Sequence, residues 1–249
     1  MSCRRFIADL VTANRAVLEG AHAEHLSRVL RARIGQEFEI AAEGRVRRGQ
    51  IVCITEQRVE FELGEDVAGS ASIPVTLYLA VFKFDRMEWA IEKCTELGAA
   101  HIVPLICSRT DAHLASAAEK RVERWRRLAL QAAEQSRRTA PPEIAAPLRL
   151  TREAVACEGA RIVLAETERG VMLKDVLEQL PAGRETEGTS LALAIGPEGG
   201  WTGAERGMFF QAGWVSASLG STILRAETAA IAALAVVAAF AAPPPAADN

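Results

Sequence analysis

The sequence is short of several features that would announce a function, and each absence excludes something. Positive charge is not in excess: 29 Lys and Arg stand against 32 Asp and Glu, a net charge of −3. That counts against a surface built wholly for nucleic acid, although a local basic patch remains open. Cysteine is sparse. Cys3, Cys53, Cys94, Cys107 and Cys157 are odd in number and scattered, with no C-x-x-C. They form neither a disulfide framework nor a zinc pattern and suggest a reducing, cytoplasmic setting; no metal is expected. The start, Met1-Ser-Cys-Arg-Arg-Phe6, has no apolar core of the kind a signal peptide needs. The most apolar run, Thr228 to Ala242, is dominated by alanine and falls short of the ~18–20 residues of a membrane span. Pro243 to Pro245 end it. A helix apolar on all sides is core or a contact between subunits. No internal repeat is evident, and neither a Walker loop nor an early G-x-G-x-x-G is present.

What is there is an ordinary folded chain: 249 residues, 49% hydrophobic, enough for one large or two modest domains. Residues 1 to about 70 read as a small β-rich module. Phe6–Val11 suits a strand, Ala21–Arg33 a helix stopped by Gly35, and Glu37–Ala41, Arg47–Thr55 and Arg58–Leu63 alternate as half-buried strands do. Arginines cluster here at Arg4-Arg5, at Arg28, Arg31 and Arg33, and at Arg45, Arg47 and Arg48. They are either solvated faces or phosphate contacts. Gly64–Ile73 reads as a linker. Beyond it the pattern becomes strand–helix–strand: Val75–Val81, Asp85–Leu97, His101–Ile106. That alternation predicts a mainly parallel sheet. Ala118–Arg138 reads as a long helix, basic over Lys120–Arg138 and terminated by Pro141-Pro142. Arg161–Ala165, Leu173–Leu180, a polar loop Pro181–Thr189, a strand Trp214–Leu219 and a last helix from Glu227 follow.

Two glycine-bearing loops late in the chain carry the chemistry. The first follows the apolar strand Leu191–Ile195 as Gly196-Pro-Glu-Gly-Gly200, ahead of a helix whose start is marked by the capping pair Thr202 and Glu205. The second is Leu219-Gly-Ser-Thr-Ile-Leu-Arg-Ala-Glu-Thr228. Loops at the carboxyl ends of strands in an open sheet are where a small molecule sits. Glu198 would repel a pyrophosphate, and a carboxylate better suits a ligand with hydroxyls and a cationic centre. S-adenosylmethionine has both.

Ile195-Gly-Pro-Glu-Gly-Gly200 with Leu219-Gly-Ser-Thr-Ile-Leu-Arg-Ala-Glu-Thr-Ala229 resembles the paired signature of the SPOUT (trefoil-knotted) RNA methyltransferases, and more narrowly the RsmE family, which methylates N3 of a uridine in 16S ribosomal RNA. Other segments agree in order and spacing. Arg4-Arg-Phe6 and His25-Leu-Ser-Arg-Val-Leu-Arg31 are similar to the family's PUA-like RNA-binding domain. Lys83-Phe-Asp-Arg-Met-Glu88 with Lys93–Gly98, and Glu134-Gln-Ser-Arg137 with Pro142-Glu-Ile144, are similar to its later motifs. Three positions depart: Arg137 where the family usually has glycine, Thr222 where it commonly has arginine, and Ala41-Ala-Glu-Gly44 in place of a Phe-Asp-Gly turn.

The resemblance implies an α/β fold: a PUA-like β-barrel domain over 1–70, then a knotted parallel-sheet methyltransferase domain over 71–249, the knot at about 190–235. It implies S-adenosylmethionine bound by Leu164, Glu166, Gly196, Glu198, Gly199, Gly200, Leu219, Gly220, Ile223, Leu224 and Thr228. Arg225 is the candidate for stabilising charge on the uracil carbonyls, with Glu227 holding it or positioning the base. Arg4, Arg5, Arg28, Arg31, Gln135, Arg137 and Arg138 are the candidate RNA contacts. The expected partner is 16S rRNA of the small ribosomal subunit, and the expected assembly a cytoplasmic homodimer through the knot and last helix. Two other readings stand beside this one: a methyltransferase of another RNA such as tRNA, and a non-catalytic RNA-binding assembly factor.

Overall fold

A computed structural model describes residues 4–42, 45–67, 74–180 and 190–241. The remainder of the expected linker (68–73), the expected loop 181–189, the turn residues Glu43 and Gly44, Cys3 and Pro243–Pro245 lie outside these. The chain divides into two compact units, Met1–Ala71 with Ala133–Pro141, and Ser72–Ala132 with Pro142–Asn249.

The first unit is built on β1 (Arg5–Ile7), β2 (Leu10–Val11), β3 (Arg15–Glu19), α1 (Gly20–Glu24), β4 (Glu37–Ala42), β5 (Arg45–Ile54) and β6 (Arg58–Val67). The strands form one curled sheet in the order β1-β4-β5-β6-β3-β2, antiparallel except where β1 pairs with β4. Among the described residues β1 and β2 are the edges of this curled sheet, a half-barrel that fits the expected PUA-like domain. Alternation explains its core: Phe38, Ile40, Ile51, Val59, Phe61 and Leu63 all point inward with Phe6, Leu18 and Leu26. Gly49 permits the packing, because a Cβ there would lie 2.5 Å from Ile40 Cγ1.

Three expectations shift here. The Phe6–Val11 strand is two strands, and the Asp9 side chain between them accepts the Glu19 N–H at 2.8 Å. Arg15–Glu19 is a further strand. The helix expected over Ala21–Arg33 is shorter: α1 continues as a π-turn, His25–Val29, and stops at Arg31, whose φ of 50° is left-handed.

The second unit contains β7 (Val75–Ala80), α2 (Phe84–Glu96), β8 (Ala99–Ile106), α3 (Ala112–Ala117), most of α4 (Val122–Gln135), β9 (Glu143–Ile144), β10 (Leu148–Arg149), β11 (Ala160–Leu164), α5 (Leu173–Glu178), β12 (Leu191–Ile195), α6 (Gly203–Gln211), β13 (Val215–Ala217) and α7 (Ala226–Ala241). The seven strands make an all-parallel sheet in the order β10-β8-β7-β12-β11-β13, with β9 on β8. β12 shows why both faces are covered. Leu191, Leu193 and Ile195 pack with Met87, Trp125, Leu173 and Leu234 from the helices of one face. Ala192 and Ala194 point the other way, and their small size leaves room for Trp201, Phe209 and Trp214. Those rings form an edge-to-face ladder, Trp201–Phe209 at 4.8 Å, Phe209–Trp214 at 5.1 Å and Trp214–Tyr78 at 5.4 Å.

The expected helix Ala118–Arg138 is a 3-10 turn (Glu119–Arg121) leading into α4, which ends at Gln135 because Arg137 adopts a φ of 58°. Its basic stretch is largely committed. Arg124 makes two bonds to Glu88 at 2.7 and 2.8 Å, Arg121 reaches Glu88 at 3.8 Å and covers the Phe84 ring, and Arg126 binds Glu123 and the Ile144 carbonyl. No helix of the described residues is long and apolar enough to cross a membrane.

Candidate functional site

A cleft of about 350 Å³ lies at the carboxyl ends of β11, β12 and β13. That volume is at the lower end of the range for small-molecule sites, roughly 300–1,000 Å³. One wall is the loop after β12, with Ile195, Gly196, Pro197, Glu198, Gly200 and Trp201. The opposite wall is the loop after β13, from Ala217 through Leu219, Gly220, Ile223 and Leu224 to Arg225 and Ala226. The loop after β11 closes the third side with Leu164, Glu166, Thr167, Glu168 and Arg169. Two distant glycine loops and a strand end thus meet in one place.

Local physics fixes each wall. Pro197 accepts the Gly200 N–H at 2.8 Å, turning the first loop tightly. Gly200 has a φ of 71°, and a Cβ on it would stand 2.7 Å from Glu166 Oε1. Gly196 lies flat on the Trp201 indole, where a Cβ would be 3.1 Å from Cε2. The indole in turn donates from Nε1 to the Leu164 carbonyl at 2.8 Å, tying the first loop to the end of β11. Arg206 donates to the Trp201 carbonyl at 3.2 Å, and Arg109 donates to that of Gly199. The second loop is pinned at its base, where Ser218 Oγ accepts the Gly220 N–H at 3.2 Å and Ser218 N–H donates to the Val171 carbonyl at 2.9 Å.

The capping box forms as the sequence indicates. Thr202 Oγ1 accepts the Glu205 N–H at 3.2 Å, and Glu205 Oε2 accepts the Thr202 N–H at 2.7 Å. Glu205 is buried, and its other oxygen takes the Ser108 N–H at 2.7 Å, joining α6 to the loop after β8. Burial opposes ionisation, but the N–H bonds from Ser108 and Thr202 outweigh it and hold the carboxyl below its ordinary value. A depressed folded-state value contributes stability at neutral pH that disappears as pH falls below about 4.5 through it. Glu205→Gln is therefore expected to flatten the acid limb of the stability–pH curve. Urea melts between pH 3 and 7 with an unchanged acid limb would contradict that.

Of the residues expected at a cofactor site, Leu164, Glu166, Gly196, Glu198, Gly200, Leu219, Gly220, Ile223 and Leu224 line the cleft. Gly199 stands beside it against the Arg109 side chain, and Thr228 is exposed on the first turn of α7, outside the lining. Arg225 lines the cleft and carries no side-chain hydrogen bond or ion pair among the described residues. Glu227 is buried and does not reach Arg225; its partner is Arg86, with Nη1 at 3.6 Å from Oε1. Arg86, in the first turn of α2, also donates to Glu198 at 3.2 Å. The sequence reading missed Trp201, Arg206, Ser218 and Arg86 as parts of this site. Arg86 stands inside the Lys83–Glu88 segment already singled out, so its signal was present.

The candidate RNA contacts lie in the first unit and split into two groups. Arg5 is fixed by two bonds to Glu39 at 2.8 and 3.0 Å and by the Arg137 carbonyl. Arg28 binds Glu24 at 2.7 Å and Glu56 at 3.0 Å. Burial lowers the affinity of Arg138 for its proton. By contrast Arg4, Arg31, Gln135 and Arg137, exposed as Arg28 also is, carry no side-chain hydrogen bond or ion pair among the described residues.

Comparison with known proteins places this geometry. Residues 70–238 match the model of the RNA methyltransferase domain family. The chain is 36% identical to the ribosomal RNA small subunit methyltransferase E of Synechocystis sp. over 93% of its own length and 77% of that protein's. It is 28% identical to the protein of the same name from Aquifex aeolicus, over 94% and 99%. Among solved structures, the ribosomal RNA small subunit methyltransferase E of Neisseria gonorrhoeae bound to S-adenosyl methionine superposes with a TM-score of 0.79 at 27% identity, covering 94% of this chain and 96% of that one. Two glycine loops meeting over one cleft, the match across residues 70–238 and the near full-length likeness lead to one conclusion: the chain belongs to the RsmE family of ribosomal RNA small subunit methyltransferases.

Proposed function

We propose that the chain transfers the methyl group of S-adenosylmethionine to N3 of a uridine in 16S ribosomal RNA, in the cleft between the two glycine loops. The observation that carries this reading is the cleft itself, formed by the expected loops in a chain that superposes on a relative bound to S-adenosyl methionine. The donor set fits that molecule. Ile195, Leu219, Ile223 and Leu224 give apolar surface for an adenine, and Ile223 is 82% exposed, ready to be covered. Glu166, Glu168 and Glu198 offer carboxylates to hydroxyls and to positive charge. N–H bonds from Gly170 and Val171 hold Glu168 ionised below the usual carboxylate range.

When bound, S-adenosylmethionine supplies an electrophilic methyl on its sulfonium. The chain's task is to make uridine N3 a nucleophile, since its lone pair is delocalised into two carbonyls and it carries a proton. Arg225 lines the cleft with no ion-pair partner among the described residues, and it stabilises the negative charge that develops on O2 or O4 as that proton passes to solvent. Glu227 serves the site through Arg86 rather than by holding Arg225.

Residues 1–70 act as the PUA-like RNA-binding domain; Arg4 and Arg31 of this stretch, with Gln135 and Arg137 of the Ala133–Pro141 segment that belongs to the same unit, are the exposed contacts. Residues 71–249 form the methyltransferase domain, its knot at about 190–235. The protein works in the cytoplasm as a homodimer, its partner surface including α7, on which Phe240 is 37% exposed. A monomeric gel-filtration profile at micromolar concentration would end the dimer reading. Calorimetry with S-adenosylmethionine separates an enzyme from a non-catalytic assembly factor: micromolar binding is expected, and no detectable heat would remove the enzyme reading.

A further inference from the structure

Arg86 joins parts of the site that the chain keeps far apart. It sits in the first turn of α2, yet its Nη1 lies 3.2 Å from Glu198 Oε1 on the first glycine loop and 3.6 Å from Glu227 Oε1 just behind the second. The three side chains differ in burial. Glu198 is 43% exposed and Arg86 31%, while Glu227 is 6% exposed. The Arg86–Glu198 contact alone is screened by water and worth little. The contact to Glu227 is different, because a buried carboxylate without a counter-charge is costly. Glu227 Oε2 has no hydrogen-bond partner among the described residues, so Arg86 is the cation that offsets this charge.

We propose that Arg86 is a positioning residue of the cofactor cleft. Held by the buried Glu227, its guanidinium stands at the start of α7, where the second loop ends, and presents a bonding partner to Glu198 of the first glycine loop. One guanidinium between two carboxylates also leaves the cluster with a net charge of −1, beside the wall of the cleft that Glu198 lines. This inference rests on the cleft being the S-adenosylmethionine site.

The test is calorimetric titration of the full-length protein with S-adenosylmethionine, with thermal melts run alongside. Arg86→Met is expected to weaken binding about tenfold or more, because it leaves the buried Glu227 carboxylate without its counter-charge. Arg86→Lys keeps the charge and recovers most of the loss, while Arg86→Gln, close in shape and neutral, does not. The decisive arm is Arg86→Met with Glu227→Gln. Removing the stranded charge restores binding part of the way towards wild type, a gain that a purely steric role for Arg86 would not give. Glu166→Gln, a cleft carboxylate away from Arg86, adds its effect independently. Wild-type protein that binds while Arg86→Met and Arg86→Gln stay within twofold of it overturns the proposal alone. So does a double variant no tighter than Arg86→Met. Wild-type protein that does not bind overturns the cleft reading, and this proposal with it.

Discussion

Arg225→Ala is expected to lower methyl transfer at saturating cofactor about a hundredfold or more, with cofactor affinity little changed. The size follows from the proposed role: a charge placed where an anion develops is worth several kcal/mol in the transition state and little before it. Arg225 lines the cleft, and no carboxylate of the described residues neutralises it. Had Glu227 paired with it, as the sequence suggested, its field would be half-cancelled. Arg86 takes Glu227 instead, which leaves Arg225 without a carboxylate partner among the described residues. Single-turnover kinetics with bound cofactor isolate the step. An unchanged rate would remove Arg225 from catalysis, and a raised cofactor Kd with an unchanged rate would make it a binding residue.

Trp201→Ala is expected to cost about 3–5 kcal/mol of stability, the usual range for emptying a buried tryptophan site. Trp201 is 4% exposed, lies at 4.8 Å from the Phe209 ring, supports Gly196 and holds Leu164 through its indole N–H. Against a total of roughly 5–15 kcal/mol this is a large fraction. The melting temperature should fall by roughly 10 °C in a unit of this size. Cofactor binding should weaken with it, since the first and third walls of the cleft both rest on that ring. Trp201→Phe keeps the aromatic contact but loses the hydrogen bond and should fall between. A melt of Trp201→Ala within two degrees of wild type would show that the ring is not the support described.

Much of this was legible in the residues. Leu191–Ile195 reads as a buried strand because five apolar residues precede a glycine loop, and the Thr202–Glu205 box forms because its spacing matches the first turn of a helix. The strand–helix alternation after residue 74 carries the parallel sheet. What was not legible depends on distance. Nothing local says that Arg86 crosses 112 positions to Glu198, or that Glu39 claims Arg5. A cluster of arginines looks the same whether it faces phosphate or pairs internally, so Arg28, Arg121 and Arg124 read as basic surface when each has its carboxylate. Short strands such as Glu143–Ile144 and Leu148–Arg149 fail for another reason: two residues carry no periodicity, and only the edge of β8 makes them strands. Arg137 is the instructive case. It stands where the resembled family usually has glycine, and its φ of 58° is a conformation glycine adopts freely. The backbone has kept a glycine's shape under an arginine side chain, and its carbonyl is held by Arg5.

The most direct test of the central claim is methyl transfer from labelled S-adenosylmethionine to small ribosomal subunits, naked 16S RNA and tRNA in parallel, with the modified base mapped. The account expects label in small-subunit RNA, on one uridine, as 3-methyluridine. Label confined to tRNA, or a methyl on any atom other than uridine N3, would contradict it.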